Sequence, residues 1–137
     1  MMAAISFGHA SVTAVHALGY PLGSEYHVPH GASCALVMVP VLEYTLAEAS
    51  DRFAEMAIAL GIGDTNASDE ANAKAFVDAM RKLAETVPIP KSLSELDIPE
   101  SAIPGMAKQA MTIKRCLEVH PHQFTLEEVE ELYRSIY

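Results

Sequence analysis

The sequence predicts an all-α fold, a single helical bundle of about six or seven helices over residues 1–137. Three observations carry that prediction. Apolar residues fall at the spacing of one helix face, most plainly Phe53, Met56, Ala57 and Leu60. Helix-start signals recur at Ser68-Asp69-Glu70, at Ser92 with Glu95 and at Thr125 with Glu128. No run of residues reads as a convincing strand. With 50% of its 137 residues hydrophobic, the chain can bury most of its apolar surface as one domain.

In chain order, Ala3 to Leu18 is small and apolar, with Ile5, Val12, Val15 and Leu18 at helical spacing, and reads as one helix packed on most sides. Gly8 and Ala10 would let a neighbouring helix approach closely. Opening on such a face, without a strand or cap before it, points to a cut inside a larger fold. Gly19, Pro21, Gly23 and Pro29 then require the chain to leave one helix, turn, and enter another. Gly31 to about Leu46 reads as a second buried helix that Pro40 kinks or breaks. The third runs from about Glu48 to Leu60, with Gly61 and Gly63 ending it. This Gly-Ile-Gly could be mistaken for a phosphate loop, but no strand precedes it and no glycine-led helix start follows, so a helix stop is the better reading.

Ser68 starts the next helix with two acids at the positive end of its dipole. It runs to about Thr86 and buries Ala73, Phe76, Val77, Met80 and Leu83. Pro88 and Pro90 impose an extended link, and Ser92 with Glu95 caps a short helical turn. Pro99 sits at the first turn of a helix whose segment Ile103 to Leu117 carries Met106, Ala110, Ile113 and Leu117 inward. After the loop Glu118 to Phe124, a capped final helix reaches Ile136 with Val129, Leu132 and Tyr133 apolar. Met38, Met56, Met80, Met106 and Met111 read as core filler.

The net charge of −9 and a pI near 5.0 argue against nucleic acid or an anionic membrane as partner, since both need clustered Lys and Arg. Cys34 and Cys116 lie far apart without a Cys-x-x-Cys pair, which excludes a zinc knuckle or redox dithiol; both read as buried, reduced thiols. The N-terminus lacks a basic stretch, and the longest apolar run, Ala35 to Val39, is too short to span a bilayer. A cytoplasmic location is the expectation.

The chemistry centres on His16 to His30. A rigid turn between these histidines can bring both imidazoles to one point, an arrangement that suits a divalent metal. The run Ala14-Val15-His16-Ala17-Leu18-Gly19-Tyr20-Pro21-Leu22-Gly23, then Tyr26, Val28-Pro29-His30-Gly31 and Ala35 to Pro40, resembles the iron-containing, group III alcohol dehydrogenase family. That resemblance implies an N-terminal dinucleotide-binding domain followed by an all-helical metal domain, of which this chain matches the later part. It implies Fe(II) or Zn(II) and NAD(P) as cofactors. It also implies metal ligation by His16 and His30 together with an Asp and a His one helical turn apart on an earlier helix.

No Asp-x-x-x-His occurs here; Glu118 with His122 comes nearest, and Pro121 between them spoils a helical presentation. The expectation is half of a metal site, with weak binding in this chain alone. Tyr20 departs from a histidine common in the family and is the candidate for substrate contact or the proton path. A phenol can hydrogen-bond an alcohol oxygen but is a poorer proton shuttle than imidazole near neutrality. The alternative has Tyr20 capping the hairpin by packing on Leu22. Pro21, Leu22 and Gly23 are the residues the resemblance places beside the cofactor. His27 reads as a solvent-facing loop residue, His9 as packed among small residues, and His120-Pro121-His122 as a turn.

Three function classes follow. The first is a metal-dependent alcohol dehydrogenase module, active only with the missing N-terminal half or a complementing chain. The second is a non-catalytic, self-associating helical domain, and the third an unrelated helical protein sharing a two-histidine zinc site across a symmetry axis. Ala3 to Leu18 contains no Asp, Glu, Lys or Arg, which favours association, with a second copy of the chain as partner.

Overall fold

The computed structural model describes residues 2–137, without the side chains of Ala3 and Ser6. Among the described residues the fold is all helical: α1 (Met2–Ala10), α2 (Ala14–Tyr26), α3 (His30–Thr45), α4 (Ser50–Ala59), α5 (Asp69–Thr86), α6 (Ile103–Met111), α7 (Lys114–Leu117) and α8 (Leu126–Ser135). Two single 3-10 turns, Ser94–Leu96 and Glu100–Ala102, join α5 to α6. No helix among these residues is long and apolar enough to cross a membrane.

The helix count exceeds the predicted number because two expected helices divide. Ala3 to Leu18 breaks at Ser11, whose φ of 64° no helix interior accommodates. The first piece, α1, is not packed on most sides: Met2, Ile5 and Phe7 are 86%, 56% and 60% exposed, and no atom lies within 4 Å of where a Cβ on Gly8 would sit. Ile103 to Leu117 divides at Thr112 and Ile113, whose amides bond back to Gln109 and Ala110, closing the tighter i to i−3 turns that end α6.

The turn between the histidines is also shorter than predicted. Helix α2 runs through Gly19, Pro21 and Gly23 to Tyr26, and the chain reverses over His27–Pro29. His27 takes the left-handed conformation, φ 56°, and the Val28 amide reaches back to the Leu22 carbonyl at 3.1 Å. Pro40 does not break α3.

Two clusters hold these helices. The larger gathers Leu18 and Leu22 of α2, Val37 and Val41 of α3, Met106 and Ala110 of α6, and Val129, Leu132 and Tyr133 of α8, with Leu93 and Ile98 from the connection. Tyr133 is fully buried and its hydroxyl donates to the Leu18 carbonyl at 2.6 Å, tying α8 to α2. The smaller cluster pairs Ala49, Phe53 and Ala57 with Ala73, Phe76 and Val77 and meets the end of α3 through Leu42 and Leu46.

In α4, Ala54 is buried while Met56 and Leu60, expected inside, are 46% and 58% exposed. In α5, Asn72 is buried and Leu83 is 53% exposed. Two predicted caps are present: Ser68 accepts from the Ala71 amide, and Thr125 and Glu128 form a reciprocal box. At Ser92 the hydroxyl accepts from the Glu95 amide, but the Glu95 carboxylate accepts from Lys91 rather than closing the box on Ser92.

Candidate metal centre

The α2–α3 hairpin brings His16 and His30 together. Their ring centroids are 5.3 Å apart with planes inclined at 45°. His16 comes from the first turn of α2 and is half-buried; His30 opens α3 and is exposed. What aligns them is the three-residue reversal. Ser33, fully buried, donates its hydroxyl toward the carbonyls of Val28 and Pro29 at 3.2 and 3.3 Å, which anchors the first turn of α3 to that reversal.

Burial, followed by the charge of nearby His30, holds the His16 imidazole below its ordinary range. His16 is therefore neutral near pH 7, the form that ligates a metal.

A third donor joins the pair. Cys34 lies one turn beyond His30 on α3, its Sγ 3.9 Å from Nδ1 and 3.8 Å from Nε2 of that ring. Ligand atoms of His16, His30 and Cys34 all fall within 4.8 Å of one another, the one such convergence of three metal-binding side chains among the described residues. Cys34 is half-buried and carries no disulfide, and burial pushes its thiol up; Cys116 is the buried thiol that was expected. The His-x-x-x-Cys spacing was the available signal, since i and i+4 share a helix face. The nitrogen and sulfur donors suit a borderline divalent ion such as zinc or iron(II).

The histidines face a cleft of about 540 Å³ lined by Val12, Tyr20, Thr112, Ile113 and Arg115. Tyr20, one turn after His16, is 56% exposed and also borders a neighbouring hollow formed with Gly23, Ser24 and Ser33. Leu22 is fully buried, and residues two apart on a helix do not face each other. Pro21 and Leu22 have their side chains in the core, so neither offers a side-chain contact to a cofactor. Gly23 is half-buried, with its Cα beside the Val28 carbonyl. Another cleft, about 630 Å³ between α3, α5 and the C-terminal residues, lies elsewhere, and its Arg81 and Glu43 already pair with each other.

The remaining histidines are apart from this centre. His9 is exposed rather than packed, and His27 is an exposed helix-terminating residue. His120 and His122 are not simple turn residues. His120 is buried, with Nε2 2.9 Å from the Thr45 hydroxyl and its ring stacked on Phe124. His122 stands between Glu48, 3.0 Å from Nδ1, and Glu128, 3.3 Å from Nε2. Those carboxylates address opposite ring nitrogens, so the trio cannot converge on one ion.

The family model for the Fe-containing alcohol dehydrogenase family, C-terminal, matches residues 1–137. Long-chain-alcohol dehydrogenase 1 of Geobacillus thermodenitrificans is 32% identical over 136 residues, covering 99% of this chain and 34% of that protein. The lactaldehyde reductase of Escherichia coli is 28% identical over 134 residues, covering 98% of this chain and 35% of that protein. Among solved structures, the alcohol dehydrogenase from Oenococcus oeni superposes with a TM-score of 0.90 at 31% identity, covering 100% of this chain and 36% of that one. The chain thus spans about a third of the length of the curated relatives it matches. With a helical architecture shared at that level and a family match along its whole length, this chain belongs to the iron-containing alcohol dehydrogenase family, in its C-terminal region.

Proposed function

We propose that this chain is the metal-binding C-terminal part of an iron-containing alcohol dehydrogenase that moves hydride between an alcohol carbon and NAD(P), with His16 and His30 as ligands to Fe(II) or Zn(II). The observation that carries this reading is the convergence of the two imidazoles, 5.3 Å between centroids, on a hairpin inside a chain that the family model matches throughout. A divalent ion held there supplies Lewis acidity toward the alcohol or carbonyl oxygen.

The chain's own residues do the rest. His16 offers a neutral nitrogen because burial disfavours its protonation. His30 presents its ring from the rigid start of α3. Tyr20, on the wall of the same cleft, hydrogen-bonds the substrate oxygen through its phenol. Gly23 contributes half-buried backbone beside the cofactor, while Pro21 and Leu22 support it from the core. No strand and no glycine-led phosphate loop occurs among the described residues, so activity requires the dinucleotide-binding part of the complete polypeptide or a complementing chain.

Metal content after purification, with zinc and iron titrations of the intact chain and a His16→Ala, His30→Ala double variant, tests the reading. Metal that is present in the wild type and lost in the variant supports it. Equal metal content in both sinks it.

One observation favours a second reading, a non-catalytic self-associating domain. Met2, Ile5 and Phe7 leave an apolar helix uncovered, which a second copy would bury. Sedimentation of the metal-free chain separates the two, since association without metal or activity belongs to the second alone.

A further inference from the structure

We infer that Cys34 is a metal ligand, and that His16, His30 and Cys34 together form a three-donor site for a zinc-class divalent cation within this chain. The inference rests on the metal-centre reading of the two histidines and adds a donor to it.

Geometry carries the argument. A tetrahedral zinc, with bonds of about 2.0 Å to nitrogen and about 2.3 Å to sulfur, holds those two donor atoms about 3.5 Å apart. Cys34 Sγ stands 3.8 Å from His30 Nε2, and the ligand atoms of all three residues lie within 4.8 Å of one another. Sγ stands almost equally far from His30 Nδ1, 3.9 Å, so the imidazole lies broadside to the sulfur, and rotation about its side-chain torsions is what aims one nitrogen at a shared ion. His30 and Cys34 share one face of α3, and His16 meets them from α2, so two rigid helices hold the donors.

The helices are shaped to admit the thiol at this point. Gly19, one turn after His16, is buried against Cys34: a Cβ there would stand 3.4 Å from the Cys34 amide nitrogen and 3.5 Å from Sγ. Any longer side chain would push the sulfur away from the histidines. The other polar side chain of that turn, Ser33, is committed to the carbonyls of Val28 and Pro29, so Cys34 alone is free to ligate.

Binding breaks the S–H bond, sends the proton to solvent and forms the bond from sulfur to metal; no oxidant is needed. Three donors leave one position open to water or substrate. A thiolate shifts the preference from iron(II) toward zinc, because softer ligands favour the softer ion.

Cobalt(II) chloride titration of the intact chain, kept reduced with a phosphine, is the test. The expected result is a near-ultraviolet thiolate-to-cobalt charge-transfer band in the wild type that is absent from Cys34→Ser. Zinc competition should show affinity lower in Cys34→Ser by at least about tenfold, the lower end of what losing even an outer-shell partner costs.

Zinc should also slow alkylation of Cys34 in the wild type, followed by peptide mass separately from Cys116, which lines the same cleft as the histidines; this readout needs no variant to fold. Cobalt binding that depends on His16 and His30 but shows no such band, and no protection of Cys34, overturns the inference and leaves the two-histidine reading standing. Cobalt binding unaffected by the His16→Ala, His30→Ala substitutions, or none in the wild type, overturns both for this chain.

Discussion

His122 is held between two carboxylates, and that placement makes stability depend on pH. Burial opposes its charge, but hydrogen bonds and charge from Glu48 and Glu128 outweigh that, and its pKa is raised. The Glu48 carboxyl is lowered chiefly by its hydrogen bond with His122, and Glu128 chiefly by the Thr125 amide. A raised histidine contributes stability that is complete below the unfolded imidazole pKa and lost as pH rises through the folded one. Lowered carboxylates contribute stability complete above the unfolded carboxylate range and lost as pH falls through their folded values. The two overlap at about pH 5 to 6. His120 acts in the opposite sense: burial lowers its pKa, so acid favours the unfolded chain. The deficit in melting temperature of His122→Ala against wild type should be larger near pH 5.5 than at pH 8.5, within that about pH 5 to 6 window, net of the smaller acid penalty at His120 once the His122 charge that also lowers it is gone. Equal deficits would discard the ion-pair account. The Glu48 half of this pairing is not legible locally, because His122 and Glu48 are 74 residues apart in the chain. The candidate site is more legible: His16 and His30 stand out by their spacing around glycines and prolines, whereas Cys34 reads from the sequence as a buried, reduced thiol.

At the scale of elements, the junction between α4 and α5 is where sequence punctuation and packing coincide. Gly61 has φ of +70°, the conformation that terminates α4. Gly63 is required for a different reason: a Cβ there would meet Ile58 Cδ1 at 2.8 Å, Asn72 Oδ1 at 2.9 Å and the Ile58 amide nitrogen at 3.0 Å. Buried Asn72 closes the loop by accepting from the Asp64 amide at 2.8 Å and donating to the Asp64 carbonyl at 2.9 Å. Gly63→Ala should therefore cost about 1–3 kcal/mol, the range for overpacking, as measured by urea unfolding. Gly61→Ala strains the backbone without a clash, so relief of the Gly63→Ala defect by shortening Ile58 to Ala would separate the two causes. On the other side of the molecule, Tyr133→Phe removes the hydroxyl that α8 donates to Leu18 and should cost about 1 kcal/mol in the same assay. An unchanged midpoint would mean that the bond adds nothing to packing. Side-chain caps announced only the starts of α5 and α8, and the breaks at Ser11 and Thr112 carry no proline or glycine; the second shows in the folded chain, where α6 and α7 pack separately against α2.

For the whole molecule, the core does not depend on the histidine pair. The two apolar clusters draw on every helix from α2 to α8, and His16 and His30 belong to neither. Thermal melts followed by circular dichroism should retain the helical signal with chelator present; collapse on chelation would show that metal organises the fold. Helix α1 is the exception to this self-sufficiency, because its apolar residues face outward. Phe7→Ser with Ile5→Ser should lower the sedimenting mass if α1 mediates association, and unchanged mass would exclude that role. The sequence by itself determined the helical class, the main caps, the acidic character and the two histidines, because those follow from periodicity and local backbone chemistry over a few residues. Only the tertiary structure decided which apolar residues of α4 and α5 are buried, where the histidine turn lies, and that Cys34 joins His16 and His30. Each of those depends on how close two helices approach and at what angle, quantities set by side chains distant in sequence and packed together only in the folded chain.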